Sequence, residues 1–186
     1  MDILSNPMDL SVVALMLARN QDPDLFRLLE QQYSEMGEDY KATQGRDFPL
    51  GAFSEEAYRV RLNPIASGLN ADIFEAELLC MERHKMAFNR PYSNKSQWEF
   101  RHDKIMEFFV AQTFLTGKTL DNEETTRLEG HLGDSRFNGV YFLLAMLMPL
   151  DDAKALKEEL VNYAVDTYDT TVLAGFVQNL RSRETT

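Results

Sequence analysis

Gly117-Lys118-Thr119 is the segment whose composition first points to chemistry, because a Gly-Lys-Thr triplet closes the loop that cradles phosphate in many nucleotide-binding proteins. That loop needs another glycine five residues earlier, after a strand, so that successive backbone amides converge on the anion. Position 112 is Gln112, inside an apolar helical stretch, so Gly117 reads instead as the residue that ends a helix. The histidines His84, His102 and His131 include no pair four residues apart with a carboxylate between, the spacing that puts two imidazoles and a base on one helix face. Cys80 lies between Leu79 and Met81 and reads as a small buried hydrophobe. No serine sits in a nucleophile elbow. Glu123-Glu124, Asp151-Asp152 and Glu158-Glu159 fall at helix starts or on polar faces, where capping and solubility account for them. The expectation is a chain that is not an enzyme, with no metal and no cofactor of its own.

The elements that carry these residues are mostly helical. Asn6-Pro7 opens a first helix, with Asn capping free amides and Pro taking the first helical position, and Leu10, Val13 and Leu17 follow at helical spacing. Asp22-Pro23 repeats the device. Leu25, Leu29, Met36 and Tyr40 mark the face of a second helix that ends between Gly37 and Tyr40. The polar stretch Lys41 to Gly51 reads as a linker, and a third helix is expected from Ser54, with Glu55 and Glu56 in its first turn, until Pro64 breaks it. A short helix over Asp72 to Met81 precedes two short strands, 84–88 and 97–100, around the turn-rich segment Asn89 to Lys95. From His102 to Leu115 comes a helix apolar on most sides, which must be buried. Helices near 122–132, 136–148, 151–166 and 170–182 complete the chain.

The fold expected is therefore mainly α. A helical domain (1–45) and a winged-helix-like module with a small β-hairpin (46–117) are followed by HEAT-like helical pairs (118–186). With 186 residues and 44% hydrophobic content the chain can bury a real core. Its apolar runs are too short to span a bilayer, so no membrane partner is expected. The single cysteine permits no internal disulfide and fits a reducing cytoplasm.

Charge narrows the partners. The net charge of -11 argues against a general nucleic-acid binder, whose affinity rests on clustered Lys and Arg. It is unevenly spread: Glu82 to Lys104 carries six basic and three acidic residues, whereas Leu120 to Thr170 carries four basic and eleven acidic ones. A positive patch followed by an acidic module suits contact between domains, and solvated helix faces are the plainer alternative.

The run Trp98 to Leu115 resembles a hallmark of NACHT-type STAND signalling NTPases, in which an aromatic residue and a His lead into a helix patterned Glu, aromatic, aromatic, small, Ala. Phe100, His102, Glu107, Phe108, Phe109 and Ala111 occupy those places. The opening Leu4 to Leu10 is similar to a second element of that family, the Asn-Pro helix start that follows the nucleotide-binding core. The two stand in the family's order and cover roughly residues 1–116.

The resemblance implies a region lying after the nucleotide-binding core, and roles for three residues once that core is present. His102 would touch the terminal phosphate of bound ADP, and Pro7 would pack near the adenine. Arg101 is a further candidate for the phosphate side on charge alone. The alternatives are that His102 caps its own helix and that Pro7 is only a first-turn proline. Walker A, Walker B and arginine-sensor segments are missing, so the chain is expected to be a piece of a longer protein that binds ATP or ADP through its core.

The function expected is a non-catalytic regulatory fragment in signal transduction or defence, holding the NACHT core in cis and releasing it when a protein or ligand trigger engages the C-terminal helices. Two other readings stay open. One is a winged-helix DNA-binding regulator, which the basic hairpin favours and the acidic segment around Glu75, Glu77 and Glu82 opposes. The other is a helical scaffold for protein partners.

Overall fold

The computed structural model describes residues 10, 13, 14, 17, 18, 27–63, 68–92, 95–115 and 122–184, and the architecture is mainly α with one small antiparallel hairpin. Eight helices are defined in it. They are α1 (Leu28–Gln44), α2 (Leu50–Leu62), α3 (Ala71–Arg83), α4 (Asp103–Thr113), α5 (Asn122–Glu129), α6 (Asn138–Leu147), α7 (Leu150–Thr167) and α8 (Thr171–Glu184). Strands β1 (Ala87–Tyr92) and β2 (Lys95–Phe100) stand between α3 and α4. No helix among the described residues is long and apolar enough to cross a membrane. The helix start at Asn6-Pro7, the break at Pro64 and the triplet Gly117 to Thr119 lie outside the described residues.

Contacts divide the chain into two units, Met1–Pro49 with Pro64–Ile105, and Leu50–Asn63 with Met106–Thr186. Each unit is discontinuous, because α2 belongs with the later helices, whereas the sequence reading divides the chain in series.

In the first unit, α1 pairs with α3. The buried face of α1 is Leu28, Gln32, Met36 and Tyr40, and that of α3 is Phe74, Glu77, Leu78, Cys80 and Met81. Polar side chains of this seam find partners, although Gln32 Oε1 is buried without one among the described residues. Gln32 Nε2 donates to the His84 carbonyl at 3.0 Å, the Tyr40 hydroxyl donates to Glu77, and Arg46 donates to the same Glu77 oxygen at 3.0 Å. Burial and the adjacent Glu77 carboxylate push the Tyr40 phenol up to about 12. The helix runs on through Gly37 to Gln44 and stops at Gly45, whose φ of 69° supplies the left-handed residue that turns a chain out of a helix. A Cβ at Gly37 would meet nothing within 4 Å, so that glycine costs some helix propensity and breaks no contact. The expected linker is thus only about five residues long, and α2 begins at Leu50. Ser54 is no cap: it is fully buried within α2.

The C-terminus of α3 also departs from the sequence reading, which put a strand at 84–88. Lys85 N donates to Glu82 O and Met86 N to Met81 O, with Lys85 at φ 60°, a Schellman closure. His84 and Lys85 therefore cap a helix, and the strand begins at Ala87. The hairpin then pairs Ala87 with Phe100 through Tyr92 with Lys95, extending into the segment expected to be a turn.

In the second unit, α4 buries Phe108, Phe109, Val110 and Ala111, as its apolar circumference requires, and Phe114 just after it is buried too. The last three helices pack with α8 against both α6 and α7. Their buried residues recur at helical spacing: Val140, Tyr141, Leu144 and Ala145; Ala153, Leu156, Leu160 and Ala164; Val172, Phe176 and Leu180. Close approach of α8 to α6 needs Gly175, because a Cβ there would lie 2.3 Å from the Phe142 ring.

Candidate functional site

The junction between β2 and α4 is built by the hairpin. Trp98 is buried, and its carbonyl accepts from Leu69 N at 2.9 Å, fastening β2 to the segment before α3. Arg101 N donates to Met86 O at 3.0 Å, so the ladder continues one residue beyond β2. The chain then turns, and the His102 carbonyl accepts from Ile105 N at 3.1 Å in the first turn of α4. Arg101, His102, Asp103 and Lys104 are all exposed, and Ile105 is the first buried residue.

The arrangement places an exposed imidazole and two exposed cationic side chains at a helix start, a combination that attracts phosphate. Asp103, in the same first turn, opposes it by charge. Of the residues assigned to nucleotide on resemblance, Arg101 and His102 are adjacent and face solvent, and Pro7 lies outside the described residues.

Packing and ion pairing account for Glu107, Phe108, Phe109 and Ala111 of the hallmark. Phe108, Phe109 and Ala111 are core. Glu107 pairs with Arg61 of α2 at 3.1 Å. His102 is the exposed member of the motif.

Two clusters were not gathered by the sequence reading. In the second unit, His131 stacks on Phe137 with centroids 3.8 Å apart and planes 2° from parallel, and its Nε2 bonds the Tyr58 hydroxyl. Arg127 lies 3.7 Å over the Tyr58 ring while clamping Glu55 with two bonds of 2.9 and 2.7 Å. Burial lowers the His131 pKa, Arg127 and Arg136 lower it further, and Asp134 opposes them. The folded state resists this proton and the unfolded chain does not. Stability is therefore full above the unfolded histidine value of about 6.5 and declines as pH falls below it. Thermal unfolding followed between pH 8 and 5 is expected to show a falling midpoint that His131→Gln flattens.

In the first unit, Asp39 Oδ2 accepts from Arg83 at 2.9 Å, from His84 Nε2 at 3.1 Å and from the Cys80 thiol at 3.7 Å. Asp39, Cys80 and His84 form the group among the described residues whose donor atoms fit a metal ion, all within 4.8 Å of one another. The available signal was the i, i+4 spacing of Cys80 and His84, which a search for histidine pairs passes over. Arg83 and His84 lower the Asp39 pKa, while burial pushes the Cys80 thiol up to about 11 and keeps it protonated.

No known protein family, characterised protein or solved structure matches the chain.

Proposed function

We propose that the chain is a non-catalytic regulatory region of a NACHT-type signalling NTPase, holding the nucleotide-binding core in its resting state and releasing it on a trigger. The observation that carries this reading is the exposed His102 at the turn from a paired hairpin into a buried helix, with Arg101 and Lys104 beside it. A hydrogen bond from that imidazole to the terminal phosphate of ADP would be made in the closed state alone. Bound nucleotide would then bias a two-state element in proportion to its different contacts in the two states. The acidic C-terminal helices are the surface through which a protein or ligand trigger would act.

The DNA-binding reading is weaker physically. The exposed residues of α3, the helix that would enter the major groove, include Asp72, Ile73, Glu75 and Leu79 ahead of Arg83. Such a face repels phosphate and offers few donors to base edges. A duplex mobility shift that weakens steeply with salt would restore it.

The test uses the protein carrying its nucleotide-binding core. His102→Ala is expected to speed ADP release by about 10-fold, the loss of one charge-assisted contact, and to raise basal signalling. Unchanged nucleotide retention together with unchanged basal signalling would overturn the proposal.

A further inference from the structure

Asp39, Cys80 and His84 stand apart from the junction at His102, and their geometry supports an inference independent of the switch reading. Four-coordinate zinc holds thiolate sulfur at about 2.3 Å and imidazole nitrogen or carboxylate oxygen at about 2.0 Å. A regular tetrahedron with those bonds has edges of about 3.3 Å between nitrogen and oxygen and about 3.5 Å between sulfur and oxygen. The corresponding distances here are 3.1 Å from His84 Nε2 to Asp39 Oδ2 and 3.7 Å from Cys80 Sγ to the same oxygen. Both edges to Asp39 are thus within a few tenths of an ångström of those of a zinc site, and the third, from Cys80 Sγ to His84 Nε2, lies within 4.8 Å and must close toward about 3.5 Å when an ion is seated. The donors are held from both sides of the α1–α3 seam. Cys80 and His84 stand one helical turn apart at the end of α3, the His84 carbonyl is fixed by Gln32, and Asp39 comes from α1.

We propose that Asp39, Cys80 and His84 bind one divalent cation of the zinc class, with solvent completing four-coordination on the open side of Asp39. A thiolate with an imidazole selects zinc or cobalt over calcium or magnesium, which take oxygen donors. Cys80 and His84 are 1% and 7% exposed, whereas the Asp39 side chain is 36% exposed, so the ion enters past the carboxylate.

Binding releases the proton of the Cys80 thiol to solvent, and His84 Nε2 must present its lone pair to the ion in place of its contact with Asp39. Arg83 leaves Oδ2 and is the ion's competitor. Because the thiol must ionise, affinity rises with pH across the neutral range. Bound metal would join α1 to the end of α3 immediately before the hairpin.

The competing account is that Asp39 only forms ion pairs with Arg83 and His84 across the seam, and the two differ in what cobalt would do. The full chain, stripped with chelator and checked for folding by far-ultraviolet circular dichroism, is titrated with cobalt. Expected are a thiolate-to-cobalt band and the visible bands of four-coordinate cobalt at one equivalent, displaced by zinc. Cys80→Ser is expected to weaken binding by at least about 100-fold. Arg83→Gln, at a half-exposed position that leaves the core intact, is expected to tighten it by about 10-fold. Absence of the sulfur band in folded wild-type chain at millimolar cobalt overturns the proposal. So does undiminished affinity in Cys80→Ser, or an Arg83→Gln variant that binds no more tightly.

Discussion

Phe109→Ala is expected to lower the stability of the second unit by about 4 kcal/mol, the upper range for emptying a fully buried aromatic site. Phe109 has no exposed surface. Its ring meets Phe53 of α2 edge-on at 5.0 Å and Phe108 at 5.5 Å, so truncation removes two aromatic contacts as well as buried area. At about 2–4 °C per kcal/mol for a chain of this size, the unfolding midpoint should fall by roughly 8–16 °C. Phe109→Leu keeps most of the volume and should lose about 1.5 kcal/mol. Calorimetry of the two variants checks the ratio, and equal losses would mean that the site collapses around Ala and that packing at Phe109 is not what closes α4 onto α2.

This prediction bears on the resemblance to NACHT proteins. If Phe108, Phe109 and Ala111 are fixed by packing, their pattern reports a helix that must be buried, and any helix following a hairpin in such a fold would need something similar. His102 is different, because nothing in packing asks for an imidazole at an exposed turn. A functional test therefore belongs at His102 and a stability test at Phe109.

The parts of the fold legible in the sequence were those governed by local periodicity. The apolar circumference of α4 follows from side-chain direction, and helices are expected from the sequence close to where α6, α7 and α8 lie. Less legible were element ends, where two signals compete. Gly37 suggested a stop, yet α1 continues because Met36 and Tyr40 on either side bury fully against the seam. Ser54 suggested a start, yet Pro49 already stands immediately before the first residue of α2. Least legible were clusters assembled across the chain. Asp39 meets His84 from 45 residues away, and Tyr58 meets His131 from 73 away. The face of α1 is half polar, Gln32 being as buried as its apolar neighbours, so a search for an apolar stripe placed Leu29 where Leu28 belongs.

Glu107→Ala is the second large effect expected, a loss of about 3 kcal/mol. The Glu107 and Arg61 side chains are 16% and 12% exposed and meet at 3.1 Å. Arg61 Nε also donates to the Arg136 carbonyl at 2.7 Å, and Arg136 returns bonds of 3.3 and 3.2 Å to the carbonyls of Arg61 and Leu62. Removing the carboxylate leaves a guanidinium that is held in place by these bonds and largely shielded from water, so the charge can neither relax nor hydrate fully. Gly139 tightens the enclosure, since a Cβ there would come within 2.1 Å of the carboxylate. The cost is therefore that of taking a carboxylate away from a shielded guanidinium, and it should shrink when the charge goes too. Glu107→Leu combined with Arg61→Met is expected to recover most of the loss. Denaturation in 1 M salt distinguishes this from a surface effect, because a shielded pair keeps its contribution while an exposed one such as Lys41 with Asp47 is screened. A double variant no more stable than Glu107→Ala alone would show that Arg61 matters for the carbonyls it binds rather than for the carboxylate it faces.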